Sequence, residues 1–320
     1  MSSDVTERVR WICRCVAPRA RAGAFAFIVA AAACAHGTAP VPSFDGVALA
    51  DTTDLVTRGE YIVRNVAACG GCHGADNAPD GPLTGGAEFK DWRLGTVRAS
   101  NLTSDSQTGL GAWSDGEIVR AMRTGTARDG RLLAPVMPYR WLHDMSDADA
   151  FAVARYLKSL APVRHEVKQN PNFAFKMARS TFLGPVTGER SNAPRRGATV
   201  EYGEYLALHV GLCADCHTRR GGLTSSPDMS ELFAGDAHPS KDFPANPANI
   251  TPDTVTGIGR WSEADFIRTI RTGVNPHGDS LSTFMPWQQN RRMTDDDLRA
   301  IYVYLRSIRA IDNPVPRRGR

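Results

Sequence analysis

Beyond its N-terminal segment this chain has no thiol to spare. Of its 7 cysteines, Cys13, Cys15 and Cys34 lie within residues 1–34, and the other four form two short motifs. That leaves nothing for a disulfide framework in the body of the protein. A long apolar run is missing too: the stretch Ala22 to Ala35, broken by Gly23 and Cys34, falls short of the ~20 apolar residues of a membrane helix. Charge of one sign is scarce. The formal net charge is +4, and five arginines against Asp4 and Glu7 in residues 1–34 supply +3 of it, leaving +1. No basic face for nucleic acid follows from such a balance. Strand-and-turn signals of a hairpin are likewise absent, so helices joined by long loops are expected.

What is present starts with an export signal. Arginines precede a short apolar run, and small residues follow it, so residues 1–34 read as a signal peptide leading to the bacterial periplasm. The exit has two readings. Ala31-Ala32-Ala33-Cys34 resembles a lipobox lacking its usual leucine, which would lipidate Cys34 and attach the protein to a membrane. Ala33-Cys34-Ala35 fits ordinary signal peptidase equally well.

Self-similarity is the dominant feature. Residues 101–162 align with 249–310 without a gap at an offset of 148, with 23 of 62 positions identical. Upstream, Gly59-Glu60-Tyr61 pairs with Gly203-Glu204-Tyr205 at an offset of 144. The sequence therefore divides into a signal (1–34), a first domain (51–162), a linker (163–198) and a second domain (199–312). Each domain predicts three helices. The first, about 54–69 or 199–213, leads into a Cys-x-x-Cys-His motif. The second starts at Ser114-x-x-Glu117 or Ser262-x-x-Asp265, a capping-box pattern. The third starts at Ser146-x-x-Asp149 or Thr294-x-x-Asp297 and continues with apolar residues at helical spacing. Loops this long suit a compact domain only if they wrap a large cofactor.

The motifs, Cys69-Gly-Gly-Cys72-His73 and Cys213-Ala-Asp-Cys216-His217, suit covalent haem. Residues three and four apart share a helical face, so both thiols can meet the two vinyl groups while the histidine reaches the iron. Zinc binding or dithiol redox chemistry also uses Cys-x-x-Cys. Neither explains a histidine following both times in an exported chain. Two covalently bound haem c groups are therefore expected.

A carrier needs a sixth ligand, and methionine would raise the potential. Met137-Pro138 and Met285-Pro286 occupy equivalent positions in loops, where proline can fix the presentation of sulfur. Met145 and Met293 are also equivalent and compete, although they precede the caps Ser146 and Thr294, where an apolar residue staples a helix. Met122 and Met177 read as packing. Histidines 36, 143, 165, 209, 238 and 277 have no counterpart in the other copy, and His209 is the best rival ligand among them. Asn101, Thr103, Asn249 and Thr251 either bond haem propionates or hold a turn.

These residues resemble the cytochrome c subunits of membrane-bound bacterial dehydrogenases of alcohols, aldehydes and sugar acids. The resemblance lies in the Gly-Glu-Tyr lead, the loop from Asn101 to Ser114 with its counterpart Asn249 to Ser262, the Met-Pro-(Tyr/Trp) segments and the closing Tyr-Leu-(Lys/Arg)-Ser helix. It covers roughly residues 54–312. It implies an all-α fold of two tandem class I-like cytochrome c domains from an internal duplication, with His73/Met137 and His217/Met285 as axial pairs. It further implies a relay from a dehydrogenase subunit toward quinone or a terminal oxidase. The alcohol-oxidising members carry three motifs, whereas this sequence has two. A di-haem peroxidase is the rival from the enzyme class, but it needs one iron with an open sixth position, and both copies offer the same Met-Pro. A haem-bearing docking module of a larger complex is a third reading. No catalytic residues are expected.

Overall fold

In a computed structural model the described residues are 52–75, 78–91, 95–173, 175, 184–188, 193–221, 226–237 and 245–316. The expected signal, with Cys34 and its two cleavage readings, lies outside them, as do His36, Met177 and His238. Among the described residues no helix is long and apolar enough to cross a membrane.

The chain begins with α1 (Thr52–Tyr61), which runs into a π-helical turn (Ile62–Val66) and then α2 (Gly70–His73). A hairpin of β1 (Glu88–Asp91) and β2 (Gly95–Arg98) follows, then α3 (Asp115–Thr124), α4 (Tyr139–Leu142) and α5 (Asp147–Ser159). After the two-residue strand β3 (Asn170–Pro171), the helical order returns as α6 (Val200–Tyr205), a second π-helical turn (Leu206–Val210) and α7 (Cys213–His217). The short strands β4 (Arg220–Gly221) and β5 (Ser226–Pro227) precede α8 (Glu263–Thr272), α9 (Trp287–Asn290) and α10 (Asp295–Ser307).

Local signals explain the helix starts. Ser114 accepts from Glu117 N while Glu117 bonds back to the Ser114 N–H, and Ser262 with Asp265 does the same, so both expected capping boxes form. Ser146 and Thr294 cap α5 and α10 by accepting from Asp149 N and Asp297 N. Gly125 and Gly273 end α3 and α8 in the left-handed conformation, at φ 74° and 70°.

The first helix of each half departs from expectation. It does not run unbroken into the motif: a π turn intervenes, and Ala68 (φ 48°) and Leu212 (φ 57°) then swing the chain. Burial over-determines that strain. Ile62, Val63, Val66, Leu206 and Val210 are fully buried, each contributing about 1.5–3 kcal/mol.

The helices cross tightly, α1 on α5 and α6 on α10. A Cβ at Gly59 would lie 2.0 Å from Ala152 O, and one at Gly203 would lie 2.0 Å from Ala300 O. The glycine of each Gly-Glu-Tyr is thus there to let two backbones touch.

The purely helical expectation needs one correction. β1 and β2 pair antiparallel with Phe89 opposite Val97, and β3 extends the sheet through Gly95–Pro171. Runs of four residues without an Asn-Gly or Asp-Gly turn leave little trace in sequence. The Glu88–Arg98 ion pair that ties this hairpin becomes visible only once the strands are paired.

Candidate haem-binding site

Both motifs are single helical turns. His73 N donates to Cys69 O over 2.9 Å, which sets the two thiols and the imidazole on one short spiral. Burial pushes Cys69 and Cys216 up to about 12 and Cys213 up to about 11, and it raises Cys72 as well. A redox-active dithiol has its thiol pKa shifted the other way, to generate thiolate. A structural zinc site needs four converging ligands, and among the described residues no three His, Cys, Asp or Glu side chains converge.

The histidines are held in matching ways. His73 Nδ1 lies 2.7 Å from Ser100 O, and His217 Nδ1 lies 2.7 Å from Ala248 O. With Nδ1–H donating to a carbonyl, Nε2 carries the lone pair and can ligate a metal. Burial lowers both imidazole pKa values against the opposing effect of that hydrogen bond, favouring the neutral, ligand-competent form. On the C-terminal side, Gly85 N donates to His73 O (2.9 Å) and Gly235 N to His217 O (2.7 Å).

Asn101 and Asn249, open between propionate binding and turn building, are turn builders. Asn101 Oδ1 accepts from Thr103 N (2.9 Å) and Thr103 Oγ1 (2.8 Å), while its amide donates to Thr108 Oγ1 (3.1 Å) and Val163 O (2.8 Å). Asn249 repeats this with Thr251, Thr256 and Ile311. Both ends of each amide are therefore committed. The loop ties the segment after the closing helix to the residue just before the asparagine, which is the carbonyl that orients the histidine. Ser100 and Ala248 escaped sequence reasoning because the group they supply is backbone.

Met137 and Met285 are half-buried and, like Cys69 and Cys213, pack against the main apolar cluster. Tyr139 N and Trp287 N each donate 2.8 Å to the carbonyl of the methionine before the proline, closing a tight turn. Met145 and Met293 are instead inside the core, 0% and 4% exposed. His209 lies in the π turn ahead of the second motif, and its Nδ1 lies 2.9 Å from Trp141 O. His143 is buried with Nδ1 at 3.3 Å from Arg123 O, and His165 and His277 lie at the surface.

The donor set fits covalent haem: two paired thiols per turn, a neutral imidazole with Nε2 available, and a half-buried thioether in a fixed turn.

Residues 56–161 match the cytochrome c family. Over 290 residues the chain is 31% identical to an alcohol dehydrogenase (quinone) cytochrome c subunit from Gluconacetobacter polyoxogenes, covering 85% of this chain and 59% of that one. It is 30% identical over 273 residues to a gluconate 2-dehydrogenase cytochrome c subunit from Pantoea cypripedii, covering 81% and 60%. A diheme cytochrome c-type protein from Cereibacter sphaeroides is 29% identical over 304 residues, covering 91% of this chain and 98% of that one. The chain thus spans about three-fifths of the length of the dehydrogenase subunits.

Proposed function

Because residues 56–161 are a cytochrome c domain, and the chain is homologous to cytochrome c subunits of dehydrogenases and to a diheme cytochrome c, we propose that it is an exported, periplasmic di-haem cytochrome c. On this reading it relays electrons from a dehydrogenase subunit toward quinone or a terminal oxidase and has no catalytic residues of its own. Residues 51–162 and 199–312 are two class I-like domains from an internal duplication, joined by the linker 163–198. Haem attaches at Cys69/Cys72 and Cys213/Cys216, with His73/Met137 and His217/Met285 as axial pairs. Cys34, if lipidated, would hold the protein at a membrane.

The observation that carries this reading is the doubling of the whole site. Both motifs have the same imidazole-to-carbonyl bond, the same asparagine-centred loop and the same Met-Pro turn. Bound haem would supply a one-electron couple. The chain supplies the rest: thiols that fix position, a neutral imidazole oriented from behind, and an apolar surround that limits water. Among the described residues the same groups surround both motifs, whereas a peroxidase would require one site open to substrate.

Spectroscopy tests this. The purified, reduced protein should show two c-type haems per chain, and the oxidised protein two low-spin irons with a methionine charge-transfer band. A resting high-spin iron together with peroxide turnover would replace the relay by the enzyme.

A further inference from the structure

Tyr61 and Tyr205 close α1 and α6, each eight positions before the first cysteine of its motif. Neither hydroxyl stays within its own half. Tyr61 Oη donates to Asp297 Oδ2 (2.6 Å) and accepts from Thr294 N (3.0 Å). Tyr205 Oη donates to Asp149 Oδ2 (2.8 Å) and accepts from Ser146 N (3.1 Å). The four acceptor and donor groups are equivalent under the 148-residue offset. The contact is therefore made twice, once in each direction.

The chemistry is that of a helix cap closed from outside. In an ordinary capping box the third helical residue bonds back to the N–H of the capping residue. Here a tyrosine oxygen from the other half stands between that N–H and the carboxylate of Asp149 or Asp297. Both carboxylates are buried, 4% and 7% exposed, so each clasp satisfies polar groups that water does not reach.

Nearer the motifs the same reciprocity holds. Asn290, in the helix after Met285-Pro286, donates to Asn65 O (2.8 Å) and Val66 O (3.1 Å) in the π turn before Cys69. His209, in the π turn before Cys213, bonds Trp141 O in the helix after Met137-Pro138. A Cβ at Gly211 would lie 3.7 Å from Val66 Cγ1. Each methionine-side helix is thus seated on the turn that leads into the other motif.

We propose that Tyr61 and Tyr205 are positioning residues for electron exchange between the two haem units, holding the two motifs at one fixed separation by reciprocal clasps on the capping ends of α10 and α5. The inference rests on the two-haem relay above. The step it serves moves one electron from the reduced iron to the oxidised iron, with no bond made or broken, so its rate is set by separation and orientation.

The test uses the full haem-loaded chain as Tyr61→Phe, Tyr205→Phe and the double variant. Pulsed electron paramagnetic resonance on the oxidised protein reads the iron–iron distance. Exchange is followed after injecting a single electron by laser flash, and thermal unfolding is recorded in parallel. In the double variant we expect a broadened distance distribution, one unfolding transition split into two, and exchange slowed roughly tenfold, because small misplacements in reacting geometry carry large rate costs. Tyr302→Phe removes a hydroxyl that bonds Trp261 O within the second half and should leave exchange unchanged. Wild-type distance and rate in the double variant would overturn the proposal. If the double variant fails to load haem, each single variant must show a broadened distance and slower exchange, and an unaltered rate in both overturns it. Unmodified protein that holds two haems but exchanges no electron between them would instead refute the relay itself.

Discussion

The first and second halves share a chain path but balance charge and bury surface differently. In the first, Arg58 reaches Asp149 with both ends of its guanidinium, at 2.8 and 3.0 Å, and the pair is buried. The position equivalent to Arg58 in the second half is Tyr202, whose buried hydroxyl finds no hydrogen-bond partner, so Asp297 has no such cation. Arg123, Leu132 and Tyr139 are buried at 0%, 8% and 0%, whereas their equivalents Arg271, Ser280 and Trp287 are not buried. Part of the cover over the first half comes from the segment after α5, where Val186 N donates to Thr124 O. The bonds both halves keep include those that fix backbone around the motif and the tyrosine–aspartate contacts between halves. Where they diverge, the side chain answers to whatever happens to lie above it.

The largest expected effect breaks that comparison at its charge. Arg58→Met leaves buried Asp149 with only the looser contact of Arg196 at 3.9 Å and should cost about 3–5 kcal/mol. Burial raises the Asp149 carboxyl, but the hydrogen bonds and charge of Arg58 outweigh it, and the net position is below the ordinary value. A depressed carboxyl contributes stability that is present above its unfolded pKa and lost as pH falls through the folded one. The gap between wild type and Arg58→Met, measured by denaturant titration, should therefore be widest near neutrality and close below the normal carboxylate range. A gap that ignores pH would show that packing, and not charge, is what Arg58 supplies.

A second comparison separates the paired methionines. Met145→Ala should cost about 2–5 kcal/mol, as loss of a fully buried side chain does, and leave the haem potential in place. Met137→Ala should do the reverse: little loss of stability, a lower potential and an iron that binds added ligands. The same division is expected between Met293 and Met285. Potentiometry beside thermal melts decides it, and a potential that follows Met145 would move the ligand.

Smallest is the helix cap. Ser114→Ala and Ser262→Ala should each cost about 1 kcal/mol, by similar amounts, since both boxes have the reciprocal pair of backbone bonds. Unequal losses would mean that α3 and α8 depend differently on their surroundings.

Caps of this kind were legible in sequence because their partners lie three residues apart. So were the motifs, whose geometry is set within one helical turn. What escaped was non-local or carried by backbone. Arg58 and Asp149 are 91 positions apart, Tyr61 and Asp297 are 236 apart, and no spacing rule joins them. The carbonyls of Ser100 and Ala248 have no side-chain signature. The π turns are indistinguishable from plain helix in sequence because their apolar residues keep a helical period even as the ladder widens by one residue. For Asn101 and Asn249 the residue type allowed two roles, and only the saturation of both amide ends chose between them.

The reciprocal clasps also bear on mass action. A surface that offers tyrosine and accepts tyrosine in the same patch is self-complementary, the arrangement by which two like subunits associate about a two-fold axis. Between separate chains such an association would weaken on dilution. Here one polypeptide carries both partners, so pairing is intramolecular and its effective concentration is fixed by the connecting segment. However dilute the protein, each half keeps the other as its neighbour.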